Sequence, residues 1–284
     1  MSMKTRDDFI IRLADMLETK WSAFTEMRLA CIKHDTTENI HDLRVATRRL
    51  RAALKLLEDL SLTGSRDNVY DHIRMVTGVL GHLRNLDELQ LFVRRDMADE
   101  MLFSAALGVA AGLRSQEAER MLVLLNRLDV TSLQQQIRHI EKHIRHASMS
   151  GIIGRLSSMG ISCFGKVHGF MHCASVEHDD KHRHALRIAI KKWRYFLEIV
   201  SELFHSDNTE ILATLKEYQT VLGRLNDYSV FGASLPLLRL DEKQKEKLMS
   251  ALSLARTNDL DKLNGMLNSR PIMYSFNISP GDNL

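Results

Sequence analysis

The sequence predicts an all-α protein, and three observations carry that prediction. Only 3 prolines occur in 284 residues, at Pro236, Pro271 and Pro280, so the first 235 positions offer no proline break. Aromatic residues make up 6% of the chain, while methionine reaches 14 residues among many leucines, alanines and arginines, a palette that favours helix over strand. Apolar residues recur at helical spacing through most of the length. Sandwiches and barrels are excluded on these grounds, and 44% apolar with 26% charged residues is a globular composition.

Taken in order, Phe9, Ile10, Leu13, Met16 and Leu17 open an amphipathic helix that extends to about Ile32. The segment Lys33-His34-Asp35-Thr36-Thr37 breaks it, and Thr36 or Thr37 caps a second helix running from Glu38 to about Leu60. A third helix is expected from Ser65 to about Gly81, with Asp87 early in a fourth. Leu107–Leu125 and Val130–His146 read as a helical hairpin. Ser148–Gly154, with two glycines near the midpoint, is the best internal boundary, and 269–284, with two prolines and no period, reads as an irregular tail.

The helix-like N-terminus, with Lys4, Arg6, Asp7, Asp8 and Arg12, does not read as a signal peptide. The most apolar run, Leu102–Leu113, is well short of the ~20 residues of a membrane span. Cys31, Cys163 and Cys173 form no CxxC pair and read as reduced thiols. A cytoplasmic protein is the simplest reading.

The chain contains an internal repeat. Residues 41–51 read His-Asp-Leu-Arg-Val-Ala-Thr-Arg-Arg-Leu-Arg, and 184–194 read His-Ala-Leu-Arg-Ile-Ala-Ile-Lys-Lys-Trp-Arg, with five of the eleven positions identical and three conservative exchanges. The offset is 143 residues. Leu80-Gly81-His82-Leu83-Arg84-Asn85-Leu86-Asp87 likewise matches Leu222-Gly223-Arg224-Leu225-Asn226-Asp227 at an offset of 142. The expected organisation is therefore one domain over 1–284, with repeat 1 over about 1–147, repeat 2 over about 148–268 and the tail over 269–284.

On a helix turning about 100° per residue, His41, Arg44, Arg48, Arg51 and Lys55 fall within one stripe about 80° wide, opposite Leu43, Ala46, Leu50, Leu54 and Leu57. The second copy aligns His184, Arg187, Lys191 and Arg194 opposite Leu186, Ala189, Trp193, Leu197 and Val200, with Glu198 in place of Lys55. A solvated face normally interleaves acids at i±4, and like charges there destabilise a helix by a few tenths of a kcal/mol per pair. Segments 41–55 and 184–198 carry +4 and +3 against +3 for the whole chain, so the remainder sums to −4. Segregation of this kind points to a polyanion partner. Arg49 and Lys192 lie about 80° round the wheel, off the stripe, and Arg84 and Arg224 of the second paired motif are further, weaker candidates.

These residues resemble the CHAD family, the histidine-headed α-helical domain proteins. The resemblance rests on His41 through Arg51, on His184 with the Lys191-Lys192-Trp193-Arg194-Tyr195 run, and on both Leu-Gly motifs. It implies two helical bundles related by a pseudo-twofold axis, whose basic helices line a central positive surface or pore. The activity it implies is binding of inorganic polyphosphate, at His41, Arg44, Arg48, Arg51, His184, Arg187, Lys191 and Arg194, to which the stripe itself adds Lys55. Asn85 departs from the acidic residue expected in the first motif, and the ExExK signature of the triphosphate tunnel domain joined to many relatives is absent, so this looks like a stand-alone member. A binder of this kind would associate with polyphosphate granules.

Polyphosphate has no bases to read, so recognition must be electrostatic, through arginine forks and lysine point charges. His41 to Arg51 spans about 15 Å of helix, several phosphoryl units. Asp87 and Asp227 have two readings, as helix N-caps, which is the favoured one, or as residues that orient arginines of the stripe.

Other functions are weighed against this one. Nucleic acid would be drawn to the same stripe, but aromatic residues for stacking do not interleave with it. Histidine phosphotransfer normally needs a small residue where Val45 and Ile188 stand. Glu38 and His41 form an ExxH pair, but Lys181 replaces the glutamate in the second copy, and His139, His143 and His146, like His178 and His182, lack carboxylate or cysteine partners in register. No nucleophile triad, P-loop or dinucleotide fingerprint is present. No metal, cofactor or enzymatic activity is expected.

Overall fold

A computed structural model describes residues 3–64, 68–96, 103–174 and 179–274. Among these residues nine α-helices occur and no strand. They are α1 (Met3–Lys33), α2 (Thr37–Asp59), α3 (Val69–Asp96), α4 (Ser104–Arg127), α5 (Val130–Arg145), α6 (Met149–Ala174), α7 (Asp180–Phe204), α8 (Thr209–Ser234) and α9 (Glu242–Ser269). Pro236 falls in a short 3₁₀ turn, Leu235–Leu238, where its missing N–H costs no helical hydrogen bond. Thr36 caps α2 by accepting from the Asn39 N–H at 3.1 Å, and Asp241 opens α9 with a reciprocal capping box to Gln244.

The helices pack in the same order in both halves. α1 lies on α2, α2 on α3 and α3 on α4, while α6 lies on α7, α7 on α8 and α8 on α9. The halves then meet through α1 with α6 and α7, α2 with α7, and α3 with α8. A contiguous apolar core joins them. Both expected apolar stripes are buried: Leu43, Leu50, Leu54 and Leu57 of α2, and Leu186, Ala189, Trp193, Leu197 and Val200 of α7 lie in this core, and Ala46 is buried beside it. Among the described residues no helix is long and apolar enough to cross a membrane.

Several sequence expectations need correction. No break separates a third helix from a fourth at Gly81, because α3 runs unbroken from Val69 to Asp96. A glycine inside a helix costs about 1 kcal/mol, which burial of Val76, Leu80 and Leu83 on the same helix readily offsets. The expected start at Ser65 lies outside the described residues. Helices α4 and α5 do not form a packed hairpin. The buried stripe Leu133, Ile137, Ile140 and Ile144 sends α5 onto α1, while α4 packs chiefly on α3. The glycines of Ser148–Gly154 sit inside the first turns of α6, so the chain turns earlier, at about Ala147. Asp87 and Asp227 cap nothing, since each lies well inside its helix, α3 or α8.

Of the tail, residues 270–274 run back over the second half. The Tyr218 hydroxyl donates to the Arg270 carbonyl at 3.0 Å, Ile272 is buried, and Tyr274 stacks on Trp193 with ring centres 6.0 Å apart. Residues 275–284, like Leu102 and His178, lie outside the described set.

Candidate anion-binding site

The packing of α2 against α7 sets two basic stripes against each other, which periodicity alone left open. Arg44 and Arg48, one turn apart on α2, lie within electrostatic reach of Arg187 and Lys191, one turn apart on α7, and Arg84 of α3 joins them, lining a cationic cleft between the helices. Arg48 lies over the ring of Tyr195, 5.5 Å from its centre, so an aromatic floor from α7 carries a guanidinium from α2.

The local electrostatics are those of crowded positive charge. Among the described residues no carboxylate pairs with Arg44, Arg48, Arg187 or Lys191. Burial, then the nearby Arg48 and Arg84, push the Arg44 guanidinium down to about 10. Burial likewise lowers Arg187, whose Nε is buried without a hydrogen-bond partner. Lys191 is affected most: burial, then Arg187, Arg48, Arg44 and Arg84, bring its ammonium down to about 7. Each lowered value says that the charged form is destabilised where it stands, so a bound anion would relieve the site.

The neighbouring carboxylates are already engaged. Asp227 of α8, almost fully buried, accepts from Arg84 Nη1, and Glu88 stands 3.4 Å from Arg84 Nη2. Burial opposes the Arg84 charge, but these two acids outweigh it and raise its pKa. Asp227 is bonded to an arginine outside the stripe, Arg84 of α3, and no hydrogen bond from it to a stripe arginine is seen among the described residues. Asp87 accepts from Arg114 Nε of α4 at 2.7 Å, away from the stripe.

The remaining candidates divide. Arg51 donates to the Tyr70 hydroxyl at 3.3 Å and stacks on that ring at 5.4 Å, while Arg194 pairs with Glu198 at 2.8 Å and donates to Gln219 at 2.8 Å. Both are held at the end of their stripe, in partly satisfied positions. His41 and His184 are exposed at the other end, where His184 Nδ1 lies 3.1 Å from Asn226 Oδ1. Lys55 is exposed and bound to Glu58 (2.9 Å) and Asp59 (3.0 Å) of its own helix, which removes it from the uncompensated set. Arg224 is tied to Asp259 of α9 through both Nε and Nη2, and Tyr228 donates to the same carboxylate.

Arg49 and Lys192 lie off the cleft, as their angles on the wheel predict. Arg49 lines another cleft, of about 250 Å³, with Lys20, Tyr195, Glu198 and Glu202, and Lys192 is close enough to Cys163 of α6 to act on its thiol electrostatically. Tyr195 and the Arg84–Asp227 pair are the features that sequence reasoning did not assign. Tyr195 stands directly behind Arg194 in the motif, and no rule of spacing marks it as a floor for Arg48.

A family model described as CHAD domain matches residues 16–236. No curated protein matches the chain. Two solved structures share the fold. The crystal structure of the CHAD domain from the plant Ricinus communis is 22% identical at a TM-score of 0.71, over 93% of this chain and 93% of that one. PptA from Streptomyces chartreusis is 16% identical at a TM-score of 0.55, over 91% of this chain and 97% of that one.

Proposed function

The chain belongs to the CHAD domain family, and from that membership and the cationic cleft between α2 and α7 we propose that it binds inorganic polyphosphate without transforming it. The observation that carries the reading is the set Arg44, Arg48, Arg187 and Lys191, four cations brought together from two helices with no carboxylate of their own among the described residues. Arg84 adds a fifth, already half-neutralised, at one edge. We take the chain as one domain over 1–284, built of repeats about 1–147 and 148–268 with a tail over 269–284, so that the two basic helices are equivalent parts of one site. His41, His184, Arg51 and Arg194 extend it at its ends.

A flexible chain with one negative charge per unit suits such a cleft. Charge-assisted hydrogen bonds contribute about 1.5–3 kcal/mol each before desolvation is subtracted, so four or five suffice for tight binding. Expelled counterions make binding salt-dependent, with log affinity falling against log salt at a slope of about −3, by analogy with single-stranded nucleic acid. The decisive experiment is competition at matched salt. Long-chain polyphosphate should displace single-stranded DNA and RNA at equal phosphate concentration. Displacement in the opposite direction would make the chain a nucleic-acid binder.

Proton linkage supplies an independent prediction. Lys191 sits at about 7 in the free protein against an ordinary 10.5, and a bound polyanion raises it back toward that value. Between about pH 8 and 9 the free form lacks a proton that the complex holds, so binding takes one up and weakens as pH rises, by at most about tenfold per unit. Below about pH 6 both states are protonated at Lys191 and this contribution to the slope vanishes. Calorimetry in buffers of different ionisation enthalpy measures the uptake directly, and K191R should abolish it while leaving binding in place.

A further inference from the structure

Lys191 occupies a setting unlike that of the other paired lysines. Lys20 meets Glu202 at 2.6 Å, Lys55 meets Glu58 and Asp59, and Lys245 lies 3.8 Å from Glu242. Lys191, half-buried, meets no carboxylate among the described residues. Arg44 and Arg48 of α2, Arg84 of α3 and Arg187 of its own helix surround it. Tyr195, one turn on, lies under Arg48, and Asp227 of α8 is engaged by Arg84. The charged groups of α1 and α6 lie on other sides of α7, where Lys20 pairs with Glu202 and Lys192 and Lys166 stand near Cys163.

We propose that Lys191 is a modification site at which its amine attacks the carbonyl carbon of small acyl phosphates captured, phosphate end first, by Arg44, Arg48 and Arg187. The capture rests on the anion-binding reading of the cleft, while the reaction goes beyond it. In the step, Lys191 Nζ forms a bond to the acyl carbon, the bond from that carbon to the bridging phosphate oxygen breaks, and inorganic phosphate leaves with the electron pair. The proton lost by the nitrogen goes to the departing phosphate, so one amine and one acyl phosphate give one amide and one hydrogen phosphate, with no other reagent. The arginines that hold the phosphate also stabilise it as a leaving group.

The depressed ammonium leaves most of the amine neutral at pH 8, where an ordinary lysine is almost wholly protonated, and cationic neighbours are a recognised means of activating a lysine nucleophile. The product is a neutral amide. It can no longer take up a proton when an anion binds, which makes the cleft a weaker anion site.

The full chain is incubated with acetyl phosphate at pH 8 and low salt, and acetylation at Lys191, Lys192 and Lys181 is followed over time by peptide mass spectrometry. Lys192 and Lys181 are exposed on the same helix and act as internal standards. Lys191 should be acetylated at least about tenfold faster than either, a preference that inorganic phosphate suppresses and that shrinks with N-acetoxysuccinimide, which carries no phosphate. Equal rates at the three lysines overturn the proposal, and so does an undiminished preference with the phosphate-free reagent. Preference for Lys191 that long-chain polyphosphate fails to block would keep the modification site and remove the polyphosphate reading. Direct polyphosphate binding with no preference would do the reverse.

Discussion

Replacing Arg44 and Arg187 together by glutamine lowers polyphosphate affinity by at least about 100-fold and leaves the protein as stable as before, or more stable. The loss follows from removing one guanidinium from each basic helix, at about 1.5–3 kcal/mol per charge-assisted contact. The stability result is the sharper half. Both groups are half-buried, both have lowered pKa values, and neither has a carboxylate partner among the described residues, so the folded state carries their charge at a cost. An ordinary buried arginine is removed at a loss of stability. Here the melting temperature should hold or rise, by about 2 °C for each kcal/mol of relieved repulsion and desolvation. Equilibrium binding at fixed salt and thermal unfolding, run on the same preparations, test both halves. R224Q is the control: Arg224 is bound to Asp259, so its removal should lower stability and change affinity less than about threefold. A double variant that binds within tenfold of the parent would move the site elsewhere.

The same residues show what a sequence can disclose about such a site. The stripe at His41, Arg44, Arg48 and Arg51 and its second copy were legible because helical periodicity fixes which side chains share a face, and the buried residues opposite agree with that reading position by position. Which cations stay uncompensated was only partly legible. Lys55 lies on the stripe yet is neutralised by Glu58 and Asp59, and Arg194 is neutralised by Glu198 one turn on. Those acids stand at i+3 and i+4, where a stricter count of local pairs would have found them. Arg84 and Asp227, 143 residues apart, are of another kind: no local rule pairs them, and only the contact of α3 with α8 brings them together. The unbroken α3 is a parallel case, in which Gly81 suggested an end that the burial of Val76, Leu80 and Leu83 overrides.

Asp227→Asn should destabilise the protein by about 2–3 kcal/mol while leaving the anion site able to bind. Breaking a buried ion pair by removing one partner costs about 3–5 kcal/mol, because the other charge stays buried without compensation. The Arg84 side chain is 23% exposed and keeps Glu88 at 3.4 Å, so part of that cost is avoided. The pair joins α3 to α8 across the two halves, so its loss weakens the contact between them as well. The variant also frees Arg84 from its closer acid, leaving only Glu88, at the edge of a cleft that already holds four cations. Polyphosphate should therefore stabilise Asp227→Asn more than it stabilises the parent, since ligand stabilisation grows with the logarithm of one plus the ratio of ligand concentration to Kd and the variant binds more tightly. Denaturant unfolding with and without the polyanion measures the two effects separately. Adding Arg84→Met to Asp227→Asn removes the stranded charge and should restore most of the lost stability. If instead the double variant is as unstable as Asp227→Asn alone, Asp227 acts through its packing in α8 and its pairing with Arg84 does not hold the halves together.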